Sequence, residues 1–125
     1  MADELVLIVE DNEKNRKLVR DALQFKGYRT IETDTGEEGV RLAREHRPAL
    51  VLMDIQLPGI DGITALRQLR ADETTRDIPV IAVTASVMAQ DRQKIVDAGF
   101  DGFHGKPISV REFLATVQQV IERRR

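Results

Sequence analysis

Three stretches of this chain, Leu5-Val6-Leu7-Ile8-Val9, Leu50-Val51-Leu52-Met53 and Val80-Ile81-Ala82-Val83, are continuously apolar, rich in β-branched side chains and only four or five residues long. Runs this short and unbroken read as strands buried on both faces, as in a parallel sheet covered by helices on each side. Two weaker runs, residues 29–32 and 102–104, bring the expected strands to five. The segments between them read as helices. Residues 14–26 carry Leu18, Val19, Ala22 and Leu23 at helical spacing and stop at Gly27, a residue suited to a left-handed cap. Thr35 with Glu38 has capping-box spacing at the head of a helix that stops before Pro48. Asp61 caps a third helix that runs through Leu69, and residues 88–98 form a fourth that ends at Gly99. Ser109 with Glu112 opens a fifth, which places Val110, Phe113, Leu114, Val117, Val120 and Ile121 on one face. This alternation predicts the α/β class: a doubly wound, five-stranded parallel sheet with five helices, in a single domain over residues 1–125.

Composition narrows the function classes. With 19 basic against 21 acidic side chains, the chain offers no overall field to attract nucleic acid or an anionic membrane, so neither is expected as a partner. The basic run at residues 123–125 is short and terminal, and it suits the negative pole of a helix dipole. The absence of cysteine excludes disulfides, thiolate metal sites and thiol catalysis, and it fits a reducing cytoplasmic compartment. Met1 leads into Ala2-Asp3-Glu4 with no secretory leader pattern, and no run approaches the roughly 18 apolar residues of a membrane helix.

In a doubly wound sheet the ligand crevice lies beyond the carboxyl ends of the strands. At those ends stand Glu10-Asp11-Asn12, Asp54, Thr84-Ala85-Ser86 and Lys106-Pro107, which together supply three carboxylates, two hydroxyls and one ammonium. A lone Asp after a strand is most often a helix cap or a solvated loop residue. A convergent set is different, because two carboxylates about 4 Å apart repel by roughly 1 kcal/mol in water and roughly 4 kcal/mol at an effective dielectric of 20. Lys106 supplies one compensating charge, and a hard divalent cation such as Mg²⁺ would supply the rest. A flavin or nucleotide phosphate does not fit, since Glu10-Asp11-Asn12-Glu13 would repel it and no glycine-rich loop follows the first strand.

Leu7-Ile8-Val9-Glu10-Asp11-Asn12, then Leu52-Met53-Asp54-Ile55-Gln56-Leu57-Pro58-Gly59 with Asp61-Gly62, then Val83-Thr84-Ala85, then Lys106-Pro107 together resemble the receiver domain of two-component response regulators. The segments from Asp54 and from Lys106 look most like stand-alone cell-cycle receivers of the DivK type. The resemblance spans essentially the whole chain, and four ordered motifs are a strong signal where any one would be weak. It implies a flavodoxin-like, CheY-like fold with strand order 2-1-3-4-5. It also implies that Asp54 is the phosphoacceptor for a partner histidine kinase or histidine phosphotransfer protein. Glu10, Asp11, Asp54 and the backbone carbonyl of Gln56 would be the Mg²⁺ ligands, and Lys106, preceding a cis proline, would neutralise the phosphoryl oxygens. Thr84 would be the hydroxyl that reports modification, and Phe103 stands at the aromatic switch position, where the family often has Tyr. A Phe at such a site is equally an ordinary core residue. Gln56 and Ser86 occupy positions that in this family tune the lifetime of the acyl phosphate. The face formed by the fourth helix, fifth strand and fifth helix would bind a downstream protein, with the chain a monomer or transient dimer. No effector domain is expected after the fifth helix.

Two other readings differ in class. A Mg²⁺-dependent phosphohydrolase acting through an aspartyl phosphate often has a second Asp two residues after its nucleophile, where this chain has Gln56. A binding module that acts without phosphorylation has no need of the acceptor, metal, Thr and Lys residues together. His46, near a helix end, and His104, in an expected strand, read as structural or solvated.

Overall fold

The computed structural model describes residues 4–85 and 89–123. Strands β1 (Leu5–Val9), β2 (Arg29–Thr33), β3 (Leu50–Asp54), β4 (Val80–Thr84) and β5 (Gly102–Gly105) alternate with helices α1 (Glu13–Phe25), α2 (Gly36–His46), α3 (Gly62–Ala71), α4 (Ala89–Ala98) and α5 (Val110–Arg123). The five strands form one parallel sheet in the order β2-β1-β3-β4-β5. Both the class and the strand order are those expected.

Period-two alternation within the central strands divides the core into two layers. Val6 and Ile8 of β1 face α1 and α5, where they meet Val19, Leu23, Phe113, Val117 and Val120. Leu7 and Val9 face the opposite side, among Val40 and Ala43 of α2 and Ala65, Leu66 and Leu69 of α3. Burial on both faces is what the unbroken apolar runs demanded. Fully burying one such side chain is worth about 1.5–3 kcal/mol, so the two layers together hold the strand ends rigid for the site above them.

Local chemistry sets where the helices begin and end. Asn12, Thr35 and Asp61 cap α1, α2 and α3, accepting from the backbone N–H of Asn15, Glu38 and Thr64. Glu38 also accepts from Arg41 Nε of its own helix through both carboxylate oxygens. Gly27 follows α1 at φ 92° and Gly99 follows α4 at φ 99°, left-handed conformations that a side chain resists. Arg47 takes φ 47° ahead of Pro48, whose ring disfavours continued helix at the preceding residue. The expected Met88 start of α4, Ser86, and the last two arginines lie outside the described residues. Among the described residues no helix is long and apolar enough to cross a membrane.

Candidate phosphoacceptor and metal site

β1 and β3 are neighbours, and connections from them leave toward opposite edges of the sheet, so the crevice of this fold opens above their carboxyl ends. Glu10 follows β1, Asp54 is the last residue of β3, Thr84 is the last of β4, and Lys106 directly follows β5. The in-register pairing of β1 with β3 and of β3 with β4 brings residues distant in sequence to one rim.

The Lys106 Nζ lies 2.9 Å from Glu10 Oε1 and 2.9 Å from Asp54 Oδ2. Both carboxylates are almost wholly buried, at 4% and 3% exposure, whereas Asp11 is exposed. Oxygens of Glu10, Asp11 and Asp54 all lie within 4.8 Å of one another. The second oxygens of the buried pair are also engaged: Asn12 N donates to Glu10 Oε2 at 3.1 Å, and Gln56 N donates to Asp54 Oδ1 at 3.0 Å. The Lys106 backbone N donates to the Thr84 carbonyl oxygen at 2.8 Å, which ties the ends of β4 and β5 together, and the Lys106-Pro107 bond is cis.

Among the described residues three carboxylates face one ammonium, and the electrostatics show the imbalance. Burial, reinforced by a hydrogen bond with Asp54, pushes the Glu10 carboxyl up to about 7 despite the opposing pull of Lys106. For Lys106, burial alone would lower the pKa, but its bonds to Glu10 and Asp54 outweigh that and raise it. An all-oxygen donor set of clustered carboxylates fits a hard divalent cation and no soft metal.

Position 62 is glycine for a steric reason: a Cβ at Gly62 would stand 2.4 Å from the Asp54 carbonyl oxygen and 2.9 Å from the Ile55 Cα. The head of α3 thereby packs directly against the backbone that carries Asp54, and Gly62 N donates to the Ile55 carbonyl at 2.9 Å. Thr84 is 1% exposed at the same rim, beside the exposed Ala85.

Phe103 is half-buried on β5, with the Arg92 guanidinium 5.5 Å from its ring centre. Ser86 lies outside the described residues. His104 packs edge-on against Phe113 at 5.8 Å, and burial lowers its pKa, while His46 is exposed near Glu45. Neither histidine belongs to the acidic cluster found among the described residues. Arg16 does reach it: its Nη1 donates to the Glu10 carbonyl oxygen at 3.0 Å. A cation on the polar stripe of an amphipathic helix reads as solvated, and only the register of α1 against the end of β1 makes Arg16 a neighbour of the site.

A family model described as the response regulator receiver domain matches residues 6–118. The polar-differentiation response regulator DivK of Brucella anthropi is 49% identical over 116 residues, covering 93% of this chain and 94% of the relative. Among solved structures, the receiver domain of a sensor histidine kinase from Pseudomonas aeruginosa, with a magnesium ion coordinated in its active-site cleft, is 36% identical with a TM-score of 0.90, over 97% of this chain and 99% of the other. The Vibrio cholerae chemotaxis protein CheY4 is 25% identical with a TM-score of 0.88, over 95% of this chain and 99% of the other.

Proposed function

The chain belongs to the response regulator receiver domain family, and from that premise we propose that Asp54 accepts a phosphoryl group from the phosphohistidine of a histidine kinase or histidine phosphotransfer protein. The observation that carries this reading is the single ammonium of Lys106, shared at 2.9 Å between the buried carboxylates of Glu10 and Asp54. A cation so held can follow charge from the acceptor to an incoming phosphoryl oxygen without reorganising the site.

An Asp54 oxygen forms the new bond to phosphorus while the phosphorus–nitrogen bond of the donor breaks, and the electron pair returns to the partner's imidazole. The Gln56 N–H holds Asp54 Oδ1 in place, which limits rotation of the carboxylate during attack. Glu10, Asp11, Asp54 and the Gln56 carbonyl are the groups that would hold Mg²⁺, supported by the shared 4.8 Å cluster of the three acids. When bound there, Mg²⁺ supplies the charge neutralisation that phosphoryl transfer requires. Lys106 neutralises a further phosphoryl oxygen.

The Thr84 hydroxyl donates to the modified Asp54 and draws the following loop inward, and Phe103 turns into the space so released. Charge-assisted hydrogen bonds are worth roughly 1.5–3 kcal/mol each, and inverting a 1:99 equilibrium takes about 5.5 kcal/mol, so two new bonds near the top of that range or three of about 2 kcal/mol supply it. Output passes through the face of α4, β5 and α5 to a downstream protein in the cytoplasm, from a chain that is one receiver domain and a monomer or transient dimer. Gln56 and Ser86 set the lifetime of the acyl phosphate. Its chemistry is confined to its own phosphorylation and dephosphorylation; for a phosphohydrolase, the place of a general acid is taken by the exposed amide of Gln56.

Incubation with acetyl phosphate and Mg²⁺ is expected to add one phosphoryl mass to the intact chain, and Asp54→Asn to abolish the gain. An adduct that persists in Asp54→Asn would reject the acceptor assignment.

A further inference from the structure

The junction of β1 and α1 contains an arginine that phosphoryl transfer as described leaves without a role. Arg16 donates through Nη1 to the Glu10 carbonyl oxygen at 3.0 Å, and its Nε stands 3.7 Å from Glu32 Oε1 on β2. Glu32 Oε1 in turn accepts from Arg20 Nη1 at 2.8 Å, one helical turn further along α1. Arg16 and Glu32 are largely covered, with side-chain exposures of 21% and 29%.

These contacts complete the restraint of Glu10. Its N–H donates to the Thr33 carbonyl on β2, its two carboxylate oxygens meet Lys106 and the Asn12 N–H, and its carbonyl meets Arg16. The Glu10 carbonyl and the Asp11 N–H belong to one planar peptide group, so a grip on the carbonyl also fixes the direction in which Asp11 leaves the backbone. Asp11 is exposed and so draws little restraint from packing, yet its carboxylate must stay within the 4.8 Å cluster.

We propose that Arg16 is a positioning residue for the divalent-cation site, holding the Glu10–Asp11 peptide through the Glu10 carbonyl and anchoring it to β2 through Glu32. The proposal rests on the Mg²⁺ site described above. It makes a prediction opposite in sign to simple electrostatics. A positive charge beside an acidic cluster repels a metal cation, so removing it should tighten binding if charge alone matters. If Arg16 positions the ligands, removing it loosens binding.

The test is calorimetric titration of Mg²⁺ into the full chain. Arg16→Ala is expected to weaken binding about tenfold, the lower end of the effect of removing groups that orient metal ligands. Arg16→Lys keeps one donor and the charge and recovers part of the loss. Glu32→Gln weakens binding less than Arg16→Ala and adds nothing in the Arg16→Ala background, as expected for residues acting as one unit. In metal-free protein, exchange of the Asn12 amide, which donates to Glu10 Oε2, is faster in Arg16→Ala, a readout independent of the ion. Unchanged or tighter Mg²⁺ binding in Arg16→Ala overturns the proposal. If the wild-type chain takes up no Mg²⁺ at millimolar concentration, the metal reading itself fails, and unaltered Asn12 exchange in Arg16→Ala then overturns the positioning role as well. Should Arg16→Ala not fold, Arg16→Lys and Glu32→Gln decide by the same two measurements.

Discussion

Glu10 illustrates how a single residue can connect the site to stability. Its carboxyl, at about 7 against an ordinary value of 4.5, keeps its proton in the folded chain at pH values where the unfolded chain has released it. Folding therefore takes up a proton between these limits, and stability falls as pH rises from about 4.5 to about 7. A tenfold difference in proton affinity corresponds to about 1.4 kcal/mol, so the two to three tenfold steps between 4.5 and about 7 correspond to a loss on the order of 3 kcal/mol for the metal-free protein. The surface acids Asp21, Glu38 and Asp72 are shifted downward by their hydrogen-bond partners, and the stability linked to them is lost only as pH falls below the ordinary carboxylate range. Lys106 is shifted upward and is linked to stability lost only above its ordinary value of 10.5. The three windows are thus separate. Urea unfolding in EDTA at pH 5 and pH 8 measures the Glu10 contribution, and Glu10→Gln should flatten it. A wild-type profile with no fall between these pH values would contradict the raised carboxyl. The residue types at this rim were legible in sequence because each carboxylate or ammonium stands just at or past the end of an expected strand. Arg16 was not, because its partner is a backbone carbonyl, and any residue could supply that.

At the level of elements, the junction between β3 and α3 transmits helix packing to Asp54, the proposed acceptor. Gly62 stands where a methyl group would meet the Asp54 carbonyl oxygen at 2.4 Å, and the neighbouring atoms are themselves backbone, which leaves little room to yield. Gly62→Ala is expected to destabilise the fold by about 1–3 kcal/mol, as overpacking does, and to slow phosphorylation by acetyl phosphate by displacing Asp54. Thermal unfolding and the initial rate of adduct formation test the two parts, and a variant unchanged in both would show that α3 can move aside without cost. The Asp61 cap was readable beforehand from its place before Gly62, and the structure bears it out. The need for glycine next to it was not readable, since Asp61-Gly62 reads as helix-start chemistry whether or not another strand lies beneath it. The strand ends show a similar limit. β2 extends to Thr33 and β5 to Gly105, one residue past the expected ends, because pairing with the neighbouring strand, not side-chain hydrophobicity, carries them onward.

For the whole molecule, the proposed switch requires that a change at one end of the sheet reach the face of α4, β5 and α5. The backbone bond from Lys106 N to the Thr84 carbonyl joins the ends of β4 and β5, and Arg92 over Phe103 joins α4 to β5. On the proposed switch, acetyl phosphate with Mg²⁺ shifts the resonances of Phe103 and Arg92 in NMR spectra. Thr84→Ala should still acquire the phosphoryl mass while leaving those resonances near their starting positions. Equal shifts in Thr84→Ala would remove Thr84 from the switch. By itself, the sequence determined the α/β class, the alternation of elements and the family, since burial on both faces, helix caps and charges at strand ends are local patterns. Only the tertiary structure decided that Lys106 bridges Glu10 and Asp54, that Arg16 reaches the Glu10 carbonyl and that Gly62 lies against Asp54. The reason is that distances between residues far apart in the chain depend on strand register and helix packing, which arise from the summed burial of the two core layers and are encoded at no single position.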